Sequence, residues 1–385
     1  MNILVVGNGF DIAHGLLTKY GDFLDFIKKY KQLNDTGDVS EQEEEGYNEI
    51  IRLKSEKPGL YDEIETLIKD NAWYQHFDSI YESRKIEGKD GWIDFEREIS
   101  SVVQMLDRIR CKIVRQVENG SDRVRLNDWE IEQLKVIIWG NVHLDYSHVE
   151  FEAKAIQTIK DKLVQDLNRI TRCLEIYLAH CIHIEECCPM AVIKELNINS
   201  VLSFNYTDTY KLLYDDGSKQ IRYHHIHGIA KKESNIDECN MIIGIDEYLN
   251  DSSKNSDNVF VEFKKFFQRI FKGTGNIYTE WLGAHRQVLA AMRTAPNPPI
   301  MNVYIFGHSL DNTDGDVLRN LILQDHTKTT IFYHDREALG KQIANLIAVV
   351  GEDELIRRTN KGSQTIFFER IRSTPEPKEL ISSGI

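Results

Sequence analysis

Four short runs in this 385-residue chain end in residues able to hold or transform a ligand. They are Gly7-Asn8-Gly9-Phe10-Asp11, Asn205-Tyr206-Thr207-Asp208, His224-His225-Ile226-His227-Gly228 and Gly307-His308-Ser309-Leu310-Asp311. Gly7 and Gly9 take side chains out of a tight turn, which lets backbone N–H groups approach a pyrophosphate over a helix N-terminus. Asn205 can donate and accept, so it suits orienting a water or a ribose hydroxyl. His227 carries the side chain best matched to general-base work near neutrality, and Gly228 beside it permits close approach of a ligand. Gly307, His308 and Ser309 offer backbone and hydroxyl contacts for ribose or phosphate. Asp11 cuts both ways. A carboxylate in a first helical turn suits the helix dipole but repels phosphate, so either it contacts a hydroxyl or no phosphate sits there.

Each run also has a plainer reading. The glycine pairs serve as ordinary turns, Asn205 as an Asx-turn residue closing a strand, and His227 as a structural histidine. Other groupings offer less. The third glycine of a dinucleotide fingerprint would fall at Ile12, and there is no phosphate-binding P-loop. His180, Cys181, His183, Cys187 and Cys188 lack paired C-x-x-C spacing, and His143, Asp145, His148 and Glu150 read as a solvated loop. No metal is therefore expected. Asp94 and Glu96, two apart, do not share a helix face; an exposed helix acid is the expectation for Glu96, with projection toward the crevice as the alternative.

The elements that must carry these runs are legible in the apolar pattern. Short β-rich runs lie at 3–6, 200–204, 221–225, 241–245, 302–306, 329–333 and 365–368. Several are nearly continuous apolar stretches, as in strands covered on both faces of a parallel sheet. Helical character follows the first strand over 10–30 and the later strand over 316–323. The pattern predicts an α/β fold: a Rossmann-like, doubly wound, mostly parallel sheet with a large helical insertion. The expected division is 1–30 with 195–385 for the nucleotide-binding part and 31–194 for the insertion. No proline falls between Pro58 and Pro189, and apolar residues recur at helical spacing over 92–117 and 156–177. Residues 34–46 read as a solvated loop and 373–385 as a frayed tail. In such sheets ligands bind outside the carboxyl ends of the strands, where the strand order reverses. The four runs converge there if their strands are neighbours.

Composition narrows the partners. With 47 Lys+Arg against 61 Asp+Glu, the net charge of −14 disfavours nucleic acid and anionic membrane surfaces. The hydrophobic content of 41% is ample for a core. No apolar run approaches the ~20 residues of a membrane span, and no signal peptide is seen at the N-terminus. Six scattered cysteines fit reduced thiols, so a soluble cytoplasmic protein is expected.

Taken together, 2–20, Trp92-Ile93-Asp94-Phe95-Glu96, 203–208, 225–228 and 303–310 resemble, in order, the bacteriophage abortive-infection AbiH family. The resemblance runs from residue 2 to about residue 368 and implies an antiphage factor acting inside the cell. At greater distance the same runs are similar to sirtuin-like NAD-binding domains. That resemblance implies a pyrophosphate cradle at Gly7, Asn8, Gly9, Phe10 and Asp11, an asparagine motif at Asn205 with Asp208, a catalytic base at His227 before Gly228, and a dinucleotide-contacting turn at Gly307, His308 and Ser309. Three departures stand out. Thr207 occupies the usual aspartate position, Asp11 replaces a small hydroxyl residue, and the four-cysteine zinc module of deacylases is missing. The resemblance therefore implies NAD as substrate of a glycohydrolase rather than protein deacylation. A phage-derived trigger and homo-oligomerisation are expected with it. The alternative is a non-catalytic nucleotide sensor that signals to a partner through the helical insertion. A nuclease is disfavoured by the acidic balance.

Overall fold

The computed structural model describes residues 1–36, 47–87, 93–118, 124–125, 127, 150–151, 153–249, 256–292 and 296–371. Its strands are β1 (Asn2–Val6), β2 (Val124–Arg125), β3 (Glu150–Phe151), β4 (Ser200–Ser203), β5 (Arg222–His225), β6 (Met301–Phe306), β7 (Thr327–Tyr333) and β8 (Ile366–Arg370). β2 and β3 form a small antiparallel ladder. The other six make one sheet in the order β5-β4-β1-β6-β7-β8, and every pairing is parallel. Counted along the chain, the sheet strands run 3-2-1-4-5-6. This is the Rossmann-like doubly wound arrangement, and its order reverses between β1 and β6.

Continuous apolar runs form these strands because both faces are covered. Ile3, Val5, Leu202, Val303 and Ile305 pack on one face against the Tyr278–Ala291, Gly315–Ile322 and Arg336–Val350 helices. Leu4, Val6, Val201 and Phe306 pack on the other against Phe10, Ile193, Ile198 and Tyr210. At roughly 25 cal/mol per Å² of apolar surface removed from water, two such faces dominate the stability of the sheet.

A third core belongs to the helical insertion. It gathers Tyr20–Thr36, Asn48–Glu56, Pro58–Ile68, Ala72–Ile86, Phe95–Glu118 and Ala153–His180. Local signals place the helix starts: Pro58 takes a first-turn position, and the Asn71 side chain caps by accepting from Tyr74 N at 3.0 Å. Ile156, Ile159, Leu163, Leu167, Ile170, Leu174 and Tyr177 are all buried, as their spacing predicts. Stacked rings run from Tyr20 through Phe95 and Phe77 to Trp73, with centroids 4.1, 3.9 and 5.6 Å apart. That stack fixes the first turn of the Phe95–Glu118 helix and so the position of Glu96.

The expected strand at 241–245 does not form. Met241, Ile243 and Ile245 instead enter the helical core, and pairing is limited to an isolated bridge between Ile245 and Lys264. Their backbone is satisfied by other groups: Ile242 N donates to His227 O, and Ile243 O accepts from the Gln268 amide. The expected loop at 34–46 begins as helix through Thr36. Residues 37–46, Trp92 and the tail from 373 lie outside the described residues. Among the described residues, no helix is long and apolar enough to cross a membrane.

Candidate functional site

The two glycine turns at the order reversal are locked into each other. Gly7 N donates to Phe306 O at 3.1 Å, Gly9 N to Gly307 O at 2.8 Å, and Phe10 N to Gly7 O at 2.8 Å. A Cβ on Gly9 would stand 2.8 Å from Gly307 Cα, and one on Gly307 would stand 2.0 Å from Phe10 N. Absence of side chains here serves backbone-to-backbone approach, and three of the amides expected to cradle pyrophosphate are used within the protein. Asn8 turns toward the following loop, where it pairs with the Thr18 hydroxyl at 2.7 Å. Ser309 is exposed, and its hydroxyl accepts from Asp311 N at 3.3 Å. Gly228 (φ 79°) lies against Asn240, whose carbonyl oxygen is 2.1 Å from where a Cβ would be.

On the other side of β1, the strand ends gather a buried polar group. Asp11 is 1% exposed, and its Oδ2 accepts from Thr207 Oγ1 at 2.6 Å. Thr209 Oγ1 donates in turn to Thr207 Oγ1 at 3.1 Å. Asn205 sits beside Asp11, yet neither of its amide atoms, nor Asp11 Oδ1, has a hydrogen-bond partner among the described residues. The amide makes no Asx-turn bond; Ser203 Oγ bonds Asn205 N at 3.1 Å instead. Asp208 Oδ1 pairs with His225 Nε2 at 2.9 Å. A cavity of about 10 Å³ lies among Asp11, Asn205, Thr207, Asp208, Thr209 and His225, about room for one water. Burial pushes the Asp11 carboxyl up to about 6, against the Thr207 hydrogen bond and the nearby Thr209 hydroxyl and Asn205 amide. Burial also raises Asp208, but the bond and charge of His225 together with the Lys211 ammonium outweigh it and hold the carboxyl below its ordinary value.

His227 joins a different group. β5 ends at His225, and a turn follows in which Gly228 N donates to His225 O. The strand alternation that would have put His225 and His227 on one face therefore stops. His227 Nε2 lies 3.1 Å from Asp314 Oδ1, and His308 Nε2 lies 3.5 Å from Asp314 Oδ2. The Phe204 ring stands edge-on to both imidazoles, at 5.3 and 4.3 Å. Lys265 Nζ bridges Asp314 Oδ1 at 2.9 Å and Glu96 Oε2 at 2.8 Å. Burial, with the Lys265 charge beside it, pushes His227 down to about 4, so the imidazole is uncharged at neutral pH and a weak proton acceptor. Against burial, Lys265 is held above its ordinary value by Asp314 and Glu96 together, and Asp314 below its own by Lys265 with His227 and His308. Burial raises Glu96, with Asp314 and Asp94 adding to it, so Glu96 is the carboxyl of this cluster that takes a proton first.

The model of the family described as "Bacteriophage abortive infection AbiH" matches residues 3–335, which takes in β1 through β7 and both polar groups. The chain belongs to the AbiH family. Its role is accordingly antiphage defence by abortive infection. The chain matches no curated protein and no solved structure.

In this AbiH chain the sequence motifs divide between the two groups. Asn205, Asp11 and Asp208 meet on one side of β1; His227 and His308 meet around Asp314. Glu96 is not the exposed helix acid its spacing suggests, because its carboxylate is turned inward to Lys265. Lys265, Asp314, Thr207 and Thr209 were not singled out as site residues. A signal for Lys265 was present: Lys264 and Lys265 stand between Phe263 and Phe266-Phe267, and charges inside an apolar run need buried counter-ions. Among the described residues, no three His, Cys, Asp or Glu side chains come together to hold a metal ion. His183 pairs with Glu49 at 2.9 Å, and all six cysteines are free thiols. His143, Asp145 and His148 lie outside the described residues, as does the Glu150 side chain.

Proposed function

We propose that this AbiH protein cleaves the nicotinamide–ribose bond of NAD and so depletes a shared metabolite in the infected cell. The observation that carries the reading is the Asn205 amide, buried at the end of β4 with both polar atoms unpaired. An unsatisfied buried amide costs on the order of 1–3 kcal/mol. Such a cost persists where a ligand or water supplies the missing bonds. Cleavage passes through an oxocarbenium-like state, which needs nearby negative charge and a positioned water. Asp11 supplies the charge, and Asn205 positions the water or a ribose hydroxyl. His227, uncharged, stands with His308 in the neighbouring polar group around Asp314.

NAD does not fit a cavity of about 10 Å³. Admission of the dinucleotide therefore requires the strand-end loops to draw apart, with the pyrophosphate settling where the Gly7–Gly9 and Gly307–Ser309 turns now meet. This closed form is the restraint that an abortive-infection enzyme needs before infection. A phage-derived trigger releases it, acting through the helical insertion or through a homo-oligomer. NAD and ADP-ribose measured in infected cells test the reading: Asn205→Ala should preserve NAD and abolish protection. Protection that persists with NAD levels unchanged rejects it.

One observation favours a second reading. The Glu96–Lys265–Asp314 bridge ties the helical insertion directly to the strand ends, the coupling a non-catalytic nucleotide sensor would use to signal to a partner. Tight nucleotide binding without turnover in infected-cell extract would select that reading.

A further inference from the structure

The strand ends offer four candidate proton acceptors, and the surroundings of three of them weigh against that task. His227 is held beside Asp314 and the Lys265 ammonium. His225 and Asp208 are paired with each other at 2.9 Å. Asp11 differs. One of its oxygens is occupied by Thr207, while the other has no partner among the described residues, with the unpaired Asn205 amide close by. The hydroxyl chain from Thr209 through Thr207 sets the plane of the carboxyl and leaves Oδ1 for a ligand. Both unpaired groups line the same cavity, which has about the volume of one water.

We propose that Asp11 is the general base of this protein: its Oδ1 accepts a proton from a water held by the Asn205 amide. The inference rests on the NAD-cleaving reading and goes beyond it by placing the base on β1's turn instead of at His227. The water oxygen forms a bond to ribose C1′ as the C1′–N bond breaks. The bonding pair leaves on nicotinamide, which becomes neutral, and the water proton passes to Asp11 and then to solvent. NAD and water thus yield ADP-ribose, nicotinamide and one proton. Thr207 and Thr209 are positioning residues that keep Oδ1 aimed at the cavity.

The raised pKa of Asp11, about 6, suits this task, because a base works best when its pKa lies near the operating pH. The titratable groups facing it are His225, already bonded to Asp208, and Cys187, whose thiol burial keeps above its ordinary value. Asp208, Lys211, Tyr210 and Tyr223 also line the cavity, and Val6, Phe10 and Val201 give it an apolar side.

The test uses the full-length chain, activated with clarified lysate of phage-infected cells, with nicotinamide and ADP-ribose measured directly. Asp11→Asn should lower turnover by about 100-fold or more while NAD affinity changes only a few-fold. The exchange D11S/T207D, which moves the carboxylate to the other end of the same hydrogen bond, should recover most of that loss. Wild-type turnover should fall about tenfold per pH unit below about pH 6. Asp11→Asn at wild-type rate overturns the inference and leaves NAD cleavage standing. A wild-type chain that never consumes NAD overturns both. If the Asp11 variants do not fold, a wild-type rate that stays flat from about pH 5 to about pH 7 overturns it.

Discussion

Lys265 Nζ stands 2.8 Å from Glu96 Oε2, joining a helix of the insertion to the loops at the carboxyl edge of the sheet. The lysine is 3% exposed and also donates to Asp314 at 2.9 Å. Removing one partner of a buried ionic cluster leaves the others uncompensated, at a cost of about 3–5 kcal/mol. Lys265→Met should therefore lower the unfolding free energy measured by urea titration by that order. The triple change K265M/E96Q/D314N, which removes all three charges, should recover much of the loss. A single variant as stable as wild type would show that the bridge contributes nothing to the closed form.

Backbone contact at the order reversal makes a second expectation. Gly307 has φ 68°, and any Cβ there meets Phe10 N at 2.0 Å and Gly9 C at 2.3 Å. Gly15 has a similar φ of 82°, but a Cβ on it meets nothing within 4 Å. Gly15→Ala should then cost about 1 kcal/mol, the ordinary strain of a left-handed residue. Gly307→Ala should unfold the strand ends or fail to accumulate. Circular dichroism melts of the pair separate the two terms, and equal losses would refute the packing argument.

Asp11 and His227 bend the pH dependence of stability in opposite directions. The Asp11 carboxyl has a pKa of about 6 in the folded chain against 3.8 when exposed. Between those values the folded state keeps a proton the unfolded chain has lost, so stability falls as pH rises, by about 3 kcal/mol in all. The His227 imidazole goes from 6.5 to about 4, so from 6.5 downward the unfolded chain takes up a proton that the folded one refuses. Stability there falls as pH drops, again by about 3 kcal/mol. In wild type the two slopes offset each other over most of the window. Asp11→Asn should raise stability at neutral pH and expose a steep loss between about pH 6.5 and about pH 4. Urea midpoints that stay level across that range in the variant would contradict the assignment.

The unpaired Asn205 amide makes a prediction of opposite sign for folding and function. Leucine has nearly the same volume and no polar atoms to leave unsatisfied. Asn205→Leu should therefore be as stable as wild type or more stable, by about 1–2 kcal/mol, while antiphage protection is lost. A variant that is destabilised yet still protects would show that the amide has a structural role only.

Much of the sheet could be read from residue order because burial on both faces writes itself into a strand as an unbroken apolar run. β1, β4 and β6 were legible for that reason. The run at 241–245 shows the limit: Met241, Ile243 and Ile245 are equally apolar and equally buried, but against helices. Apolar content reports burial, and burial does not specify which backbone partner takes the hydrogen bonds. The polar runs at the strand ends were legible in the same way, as glycines and polar residues stationed where apolar strands stop. Asn205 and Asp11 could be named as candidates, and so could the antiphage family.

Residue order by itself determined the α/β class, the doubly wound sheet with its helical insertion, and the chemical types available at the sheet's edge. Tertiary structure alone decided their grouping: Asp11 bonds Thr207, 196 positions away, because β4 is hydrogen-bonded beside β1. The end of β5 at His225 likewise sends His227 to Asp314, and helix packing delivers Glu96 to Lys265. Strand neighbours and loop closures are long-range choices made by the free energy of the whole chain, and no local spacing records them.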